Sequence, residues 1–402
     1  MNSRLVKLLC ACLSTGVGLF LVFSYLGDRG PRVGVNLVET RPGVEGIFEA
    51  RAAQKAAGKP AQSDSERVMV GSFNYAEMEE AVVRKMFPSI SKPNDQKAYD
   101  PQSFFWHVPG YSRTGAPRAQ YKERMLVTNN NLGFRRVADV LEGQPDLRVL
   151  VTGDSHTEGV VPMAAHFTEV AEAALRKDHE DLSIEVLNGG VGGYSLFNYL
   201  GVIEKFRHLK PDVVVVSIYG GNDYAEIRRP YRFFHRLPLE ERYEKPLALK
   251  LKWLGKNRRQ LHAQFLHQAM AMQHFPEEFA LMEKATLELV DEMQQLCEGM
   301  GSKIVLLYIP PLFSTQPQYQ SEMIESALEH VGHKYADFYH GDLLTDKLKL
   351  HARDRGIPFL DLRGDFRRAG EFLYWGGDHH INIKGNVVVG KALEEAIRKL
   401  VF

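Results

Sequence analysis

Arg148-Val-Leu-Val-Thr-Gly-Asp-Ser155-His-Thr-Glu-Gly159 is the stretch from which the rest of the chain is read. The apolar run Val149-Leu-Val151 has the character of a buried strand, and it stops at Gly153, where the chain must turn toward a helix. Ser155 follows two residues later. In an open parallel sheet, ligands bind beyond the carboxyl ends of the strands, so a hydroxyl at this turn stands at the mouth of a site rather than in the core. The spacing is Gly-Asp-Ser-X-Thr-X-Gly. It departs from the Gly-X-Ser-X-Gly nucleophile elbow, which needs a glycine two residues after the serine, because Thr157 is there. Read alone, the stretch is equally an ordinary strand-to-helix turn with Ser155 as an N-cap.

Outward from this turn, strand and helix alternate. Further strands are expected at 184–187, 213–218, 304–309 and 358–362, with helices at 164–176, 196–209, 277–300, 343–355 and 384–400. Such alternation implies a parallel sheet covered by helices on both faces. The expected architecture is therefore a three-layer α/β/α sandwich with a central parallel sheet of about five strands, occupying 146–402. Before it, a helical pattern within 68–88 and the aromatic, turn-rich stretches 99–110 and 125–135 predict short strands or a hairpin laid against the main domain, an N-terminal extension over 66–145. The alternation breaks over 224–276, too long for an ordinary connection. This insertion holds Arg228, Arg229, Arg232 and Arg236, then further cations from Arg242 to Arg259, among Tyr231, Phe233, Phe234, Tyr243 and Trp253. It reads as a solvated helical insertion, as a lid that meets an anionic substrate, or as a surface resting on anionic headgroups.

A chain of 402 residues, 44% hydrophobic and 25% charged, has room for one large globular domain or two smaller ones. Basic and acidic side chains balance at 50 each, so overall charge indicates no nucleic-acid partner. Residues 8–26 carry no charge and have the length of a bilayer span, with Arg4 and Lys7 before them. No clear small-X-small cleavage site follows. Residues 1–27 are accordingly expected to form an uncleaved signal anchor or transmembrane helix, with the N-terminus cytoplasmic and the rest outside, as in a single-pass protein of a bacterial inner membrane with a periplasmic domain. Secretion after cleavage is the alternative. Residues 28–65, rich in Gly, Pro, Ala and mixed charge, read as a tether. Cys10 and Cys12 fall in the span, which leaves Cys297 without an intramolecular disulfide partner in the exported part; in its helical surroundings it reads as a buried structural thiol.

A serine hydroxyl is a poor nucleophile until a base takes its proton, and the base needs an orienting carboxylate. Trp375-Gly-Gly-Asp378-His379-His380-Ile-Asn382-Ile-Lys-Gly385-Asn386 offers both, in a loop after the last strand that runs into a helix. Asp378 and His380 are close enough in sequence for the carboxylate to hold the ring Nδ1 proton, although an Asp-X-His pair also serves as a metal ligand set or a capping turn. Attack further requires donors for the oxyanion that develops on a carbonyl. Two stretches supply candidates: Asn188-Gly-Gly190-Val-Gly-Gly193, a glycine-rich turn, and Tyr219-Gly220-Gly221-Asn222-Asp223, which presents an asparagine amide after a buried strand. Glycines also simply make turns, and asparagine caps helices. The phosphate-gripping Gly-X-Gly-X-X-Gly fingerprint is not met on the first strand, which argues against a dinucleotide site.

These four stretches, in this order and each at a strand's carboxyl end, resemble the blocks of the SGNH/GDSL hydrolase superfamily: Gly-Asp-Ser, a glycine turn, Gly-X-Asn-Asp, and a C-terminal Asp with His. The resemblance covers 148–402, and Asn130-Asn-Leu-Gly-Phe-Arg135 resembles the segment before the first block in many exported bacterial members. It implies the flavodoxin-like fold of that superfamily, with Ser155 as nucleophile, the Ser155 N–H, Gly193 and Asn222 as oxyanion donors, His380 as base and Asp378 as its partner. Asp154, Gly190 and Gly220 would support these groups. His156 stands where the family name has leucine, as in members acting on polysaccharides, and would touch substrate. The Asp-X-His spacing replaces the commoner Asp-X-X-His, so His379 competes as the base; His380 is preferred because His380, Asn382 and Gly385 match the His-X-Asn-X-X-Gly block. The implied activity is a serine esterase that removes an acyl group, acetyl above all, from an envelope or extracellular glycan or lipid, using no metal or organic cofactor. Transfer of the acyl group to an exopolysaccharide hydroxyl is the alternative, and a non-catalytic glycan-binding module a further one.

Overall fold

A computed structural model describes residues 68–92, 95–115, 125–238, 263–319, 321–334, 341–376 and 379–402. The main sheet is parallel and has five strands: β1 Leu147–Gly153, β2 Ile184–Gly190, β3 Val213–Tyr219, β4 Lys303–Ile309 and β5 Phe359–Asp361, in the spatial order β5-β4-β3-β1-β2. Every residue of β1, β2 and β3 is buried, which is why Val213-Val-Val-Val216 shows no polar alternation: both faces of a covered parallel sheet demand apolar side chains. Val149, Val151, Val186, Val213, Val215 and Leu307 pack into one core with Phe167, Ala171 and Leu175 of helix Phe167–Asp178 and with Val389, Leu393 and Ile397 of helix Ile383–Val401. Leu150, Leu187, Val214, Val216 and Leu306 alternate with that set and are also buried, on the side covered by helices Leu196–Lys205 and Pro276–Met300. The three-layer architecture thus holds. Strands β1 to β4 run one to three residues beyond the expected bounds, β5 is one residue shorter at each end, and Asn188-Gly-Gly190, expected to open the glycine turn, is instead the end of β2.

Register sets the level at which each chain leaves the sheet. Gly153 pairs with Gly190 on one side and Ser217 on the other. Ser155, Gly193 and Asn222 each follow those ends by a few residues, so their turns lie along one edge, and β1 lies between β2 and β3.

The N-terminal segment forms the expected small hairpins. Lys97–Asp100 pairs antiparallel with Phe104–His107, and Ser112–Thr114 with Leu126–Thr128. It is joined to the sandwich by Tyr75, whose hydroxyl donates to the Phe197 carbonyl at 2.6 Å, and by Trp106 and Phe134, whose rings pack on Phe206. The beginning of the insertion corrects the solvated reading for Arg228 and Arg232, while Arg229 and Arg236 are exposed. Helix Arg228–Phe234 buries Pro230, Tyr231 and Phe234, and Arg228 and Arg232 are nearly inaccessible because both pair with Glu278. The later cations, Arg242 to Arg259 with Tyr243 and Trp253, lie outside the described residues, as do the expected anchor and tether at 1–27 and 28–65. Among the described residues no helix is long and apolar enough to cross a membrane.

Candidate active site

Beyond Gly153 the chain makes a single helical turn, α1 Ser155–Glu158. Its N-cap is Asp154 rather than Ser155: Asp154 has extended backbone and its Oδ1 accepts the His156 N–H at 2.8 Å. Relieved of capping, Ser155 is half-buried, with its Oγ 3.3 Å from Asp154 Oδ2 and 2.9 Å from His380 Nε2. Burial raises the Asp154 carboxyl to about 6, and the His156 N–H, the nearby His380 and Ser155 offset only part of that rise.

The residues that bring His380 to Ser155 come from the far end of the chain. Tyr374 and Ile381 form an antiparallel bridge, and the Trp375 N–H donates to the His380 carbonyl at 2.8 Å, closing the loop that carries the two histidines. At its exit Asn382 caps helix Ile383–Val401 through the Gly385 N–H and donates to the carbonyls of Phe372 and Tyr374. His380 is therefore the histidine that faces Ser155. His379 has φ +59, is 2% exposed and sets its ring nearly perpendicular to that of Phe313, with centroids 6.2 Å apart. Asp378 lies outside the described residues. The His156 ring is buried, stacked on Tyr219 with centroids 3.5 Å apart and 4.7 Å from the His380 ring. It sits in the wall beside His380 rather than on an open surface.

The turns that follow β2 and β3 lie on either side of the Ser155 turn, because β1 runs between those two strands. Gly190 must lack a side chain because a Cβ there would lie 2.3 Å from the Glu158 N. Gly193 has φ +89, a conformation glycine adopts without strain, and a Cβ on it would meet Ser89 Oγ at 2.7 Å. Gly220 is backed by the Tyr308 ring, and its carbonyl accepts from Gln268 at 2.8 Å. Asn222 is buried and opens the short helix Asp223–Glu226 without capping it through its side chain. Behind it Asp223 accepts the Tyr199 hydroxyl at 2.7 Å and the Tyr219 N–H at 2.8 Å, and burial together with the Asp154 charge holds it well above the usual carboxyl range.

Sequence reasoning missed the groups at the other end of α1. Glu158 accepts the Gly192 N–H, Lys97 Nζ at 3.1 Å, Gln96 Nε2 at 2.9 Å and His107 Nε2 at 3.2 Å. Burial alone would raise this carboxyl, but Lys97, His107 and Arg135 hold it well below its ordinary value. Asn188 completes the seam by donating to the Thr157 carbonyl at 2.8 Å. The only local hint was that Glu158 follows Thr157 in the serine turn, whereas its side-chain partners come from the N-terminal segment around residues 96–107, distant in sequence.

A histidine nitrogen within hydrogen-bond reach of a serine hydroxyl can take its proton during attack on an electrophilic carbon. No protein-family model matches the chain, and no curated protein does. Among solved structures it is similar to a catalytic mutant of an acetylxylan esterase from Geobacillus stearothermophilus, at 14% identity over 65% of this chain and 97% of that one, with a TM-score of 0.38. It is also similar to an α/β hydrolase enzyme from the metagenome of Lake Arreo, at 14% identity, covering 65% and 99% with a TM-score of 0.39. A member of the lipolytic protein G-D-S-L family from Veillonella parvula is 13% identical, with coverage of 63% and 99% and a TM-score of 0.36.

Proposed function

We propose that the chain is a serine-dependent ester hydrolase of the SGNH type that removes an acyl group, acetyl by preference, from an envelope or extracellular glycan or lipid. The observation that carries this reading is the 2.9 Å contact between His380 Nε2 and Ser155 Oγ, between residues far apart in sequence. Ser155 attacks the ester carbonyl as His380 takes its proton. The tetrahedral oxyanion is met by the Gly193 N–H, the Asn222 amide and the Ser155 N–H. His380 then gives the proton to the leaving alcohol, and water attacks the acyl-enzyme, with His380 again as base, to release the carboxylic acid and regenerate Ser155. Asp378 is assigned the role of orienting His380. The uncharged stretch 8–26 is proposed to hold this domain at the outer face of a bacterial inner membrane.

Ser155→Ala tests the reading. Turnover of a short-chain ester and covalent labelling by a fluorophosphonate are expected to disappear, by at least about 10³-fold in kcat, with the thermal melt unchanged. Retention of turnover in a folded Ser155→Ala protein would overturn the assignment.

A further inference from the structure

Lys97, on the N-terminal hairpin, reaches the turn that carries Gly193. Its Nζ lies 3.0 Å from the Gly192 carbonyl oxygen and 3.1 Å from Glu158 Oε2, and the same Glu158 oxygen accepts the Gly192 N–H. Gly192 is thus held on both sides, its N–H by a carboxylate and its carbonyl by an ammonium. The other oxygen of Glu158 is fixed by Gln96 and His107, so the clamp has little freedom to swing. Both charged side chains are largely withdrawn from solvent, at 10% and 15% exposure.

The Gly192 carbonyl and the Gly193 N–H belong to one peptide unit, and in a planar trans peptide they point in opposite directions. Fixing the oxygen on Lys97 therefore aims the Gly193 N–H away from Lys97. Among the described residues no backbone carbonyl accepts that N–H. Gly192 itself adjoins the serine, since a Cβ built on it would stand 3.4 Å from Ser155 Cβ.

Resting on the esterase reading above, we infer that Lys97, braced by Glu158, is a positioning residue that aims and polarises the Gly193 N–H for the oxyanion formed when Ser155 attacks. A carbonyl that accepts from an ammonium leaves the N–H of its own peptide a stronger donor. A donor already aimed before reaction needs no reorganisation as charge develops, which is where such groups lower a barrier. The N-terminal extension is on this account part of the catalytic apparatus.

The test compares Lys97→Met, which keeps the aliphatic stem, with Lys97→Arg, which restores a cation, using hydrolysis of a short-chain aryl ester and inhibition by an alkylboronic acid. The boronate forms a tetrahedral adduct on Ser155 that presents an oxygen to the oxyanion donors. Lys97→Met is expected to lower kcat by about tenfold or more with KM changed by less than about twofold, to weaken boronate inhibition by a similar factor, and to be largely rescued by Lys97→Arg. Should Lys97→Met fail to fold, Lys97→Gln, which keeps a neutral donor for the Gly192 carbonyl, gives the same readouts with an intermediate loss. A folded Lys97→Met or Lys97→Gln protein with unchanged kcat and boronate affinity overturns the inference while leaving the esterase reading intact. Absence of ester turnover and of Ser155 labelling in the unaltered protein overturns the esterase reading, and this inference with it.

Discussion

Asp154 and Glu158 bracket the same helical turn, both carboxyls are withdrawn from water, and their acidities move in opposite directions. Around Asp154 the partners are a backbone N–H, the Ser155 hydroxyl and the nearby His380, too little to offset burial, so the carboxyl rises to about 6. Around Glu158 stand the cations Lys97 and Arg135 and the hydrogen bond from His107, and the carboxyl is held well below its ordinary value. Burial alone does not fix the charge of a carboxyl; the sign of its neighbours decides. The end of the turn that faces Ser155 and His380 is left able to exchange a proton near neutral pH. The end that faces the N-terminal hairpin is locked in the ionised state.

The largest effect is expected where the locked end is broken. Glu158→Ala strands Lys97 in a site of low exposure and leaves the Gly192 N–H without its acceptor, which should cost roughly 3–5 kcal/mol in urea-induced unfolding. A loss below about 1 kcal/mol would mean that the Glu158 cluster behaves as a surface ion pair and that the contrast with Asp154 is false.

Next in size is the opposite pH response of the two ends. The folded-state value for Asp154, about 6, lies above its ordinary 3.8, so in that window the native state holds the additional proton and stability declines as pH rises, levelling off above about 6. Asp154→Asn retains an N-cap acceptor and cannot ionise, so its stability profile should lose the Asp154 share of that decline and keep the share of Asp223, whose carboxyl is also raised. For Glu158 the folded value is depressed below 4.5; its contribution is in place above that pH and is lost as pH falls through the folded value. Unfolding free energies of the unaltered protein, Asp154→Asn and Glu158→Gln between pH 3 and 8 separate the two, and parallel profiles for both variants would sink the comparison.

The smallest effect belongs to His107. Burial lowers the pKa of this ring despite Glu158 beside it, so at neutral pH their 3.2 Å contact is a hydrogen bond from a neutral imidazole rather than an ion pair. His107→Gln keeps a donor and should change stability by about 1 kcal/mol or less, with no dependence on salt. A larger, salt-sensitive loss would show that His107 carries charge.

Much of the site could be read along the chain because it follows strand ends, and strand ends announce themselves where an apolar run meets glycine. The turns that carry Ser155, Gly193 and Asn222 are legible in this way, while the choice of Gly193 within its turn comes only from the family resemblance. His380 was preferred over His379 from the Asn382 and Gly385 spacing, and its 2.9 Å contact with Ser155 agrees. The cap itself is not legible along the chain: Asp and Ser are both good N-caps, and only the backbone shows that Asp154, and not Ser155, does the capping. Two cations of the insertion escape the sequence for a related reason. Arg228 and Arg232 look like a solvated basic face until Glu278, on the next long helix, is seen to take both of them into the interior.

Taken alone, the sequence determined the layered parallel architecture and the serine turn, because hydrophobic period and glycine punctuation are local properties written in consecutive residues. The tertiary structure decided the strand order that sets Ser155 between the Gly193 and Asn222 turns, the histidine that meets it, and the charge states at the two ends of its helical turn. Those depend on which distant groups share a buried volume. Lys97 and His107 act on Glu158 through space, and a side chain's burial and partners leave no mark on its own neighbours in the chain.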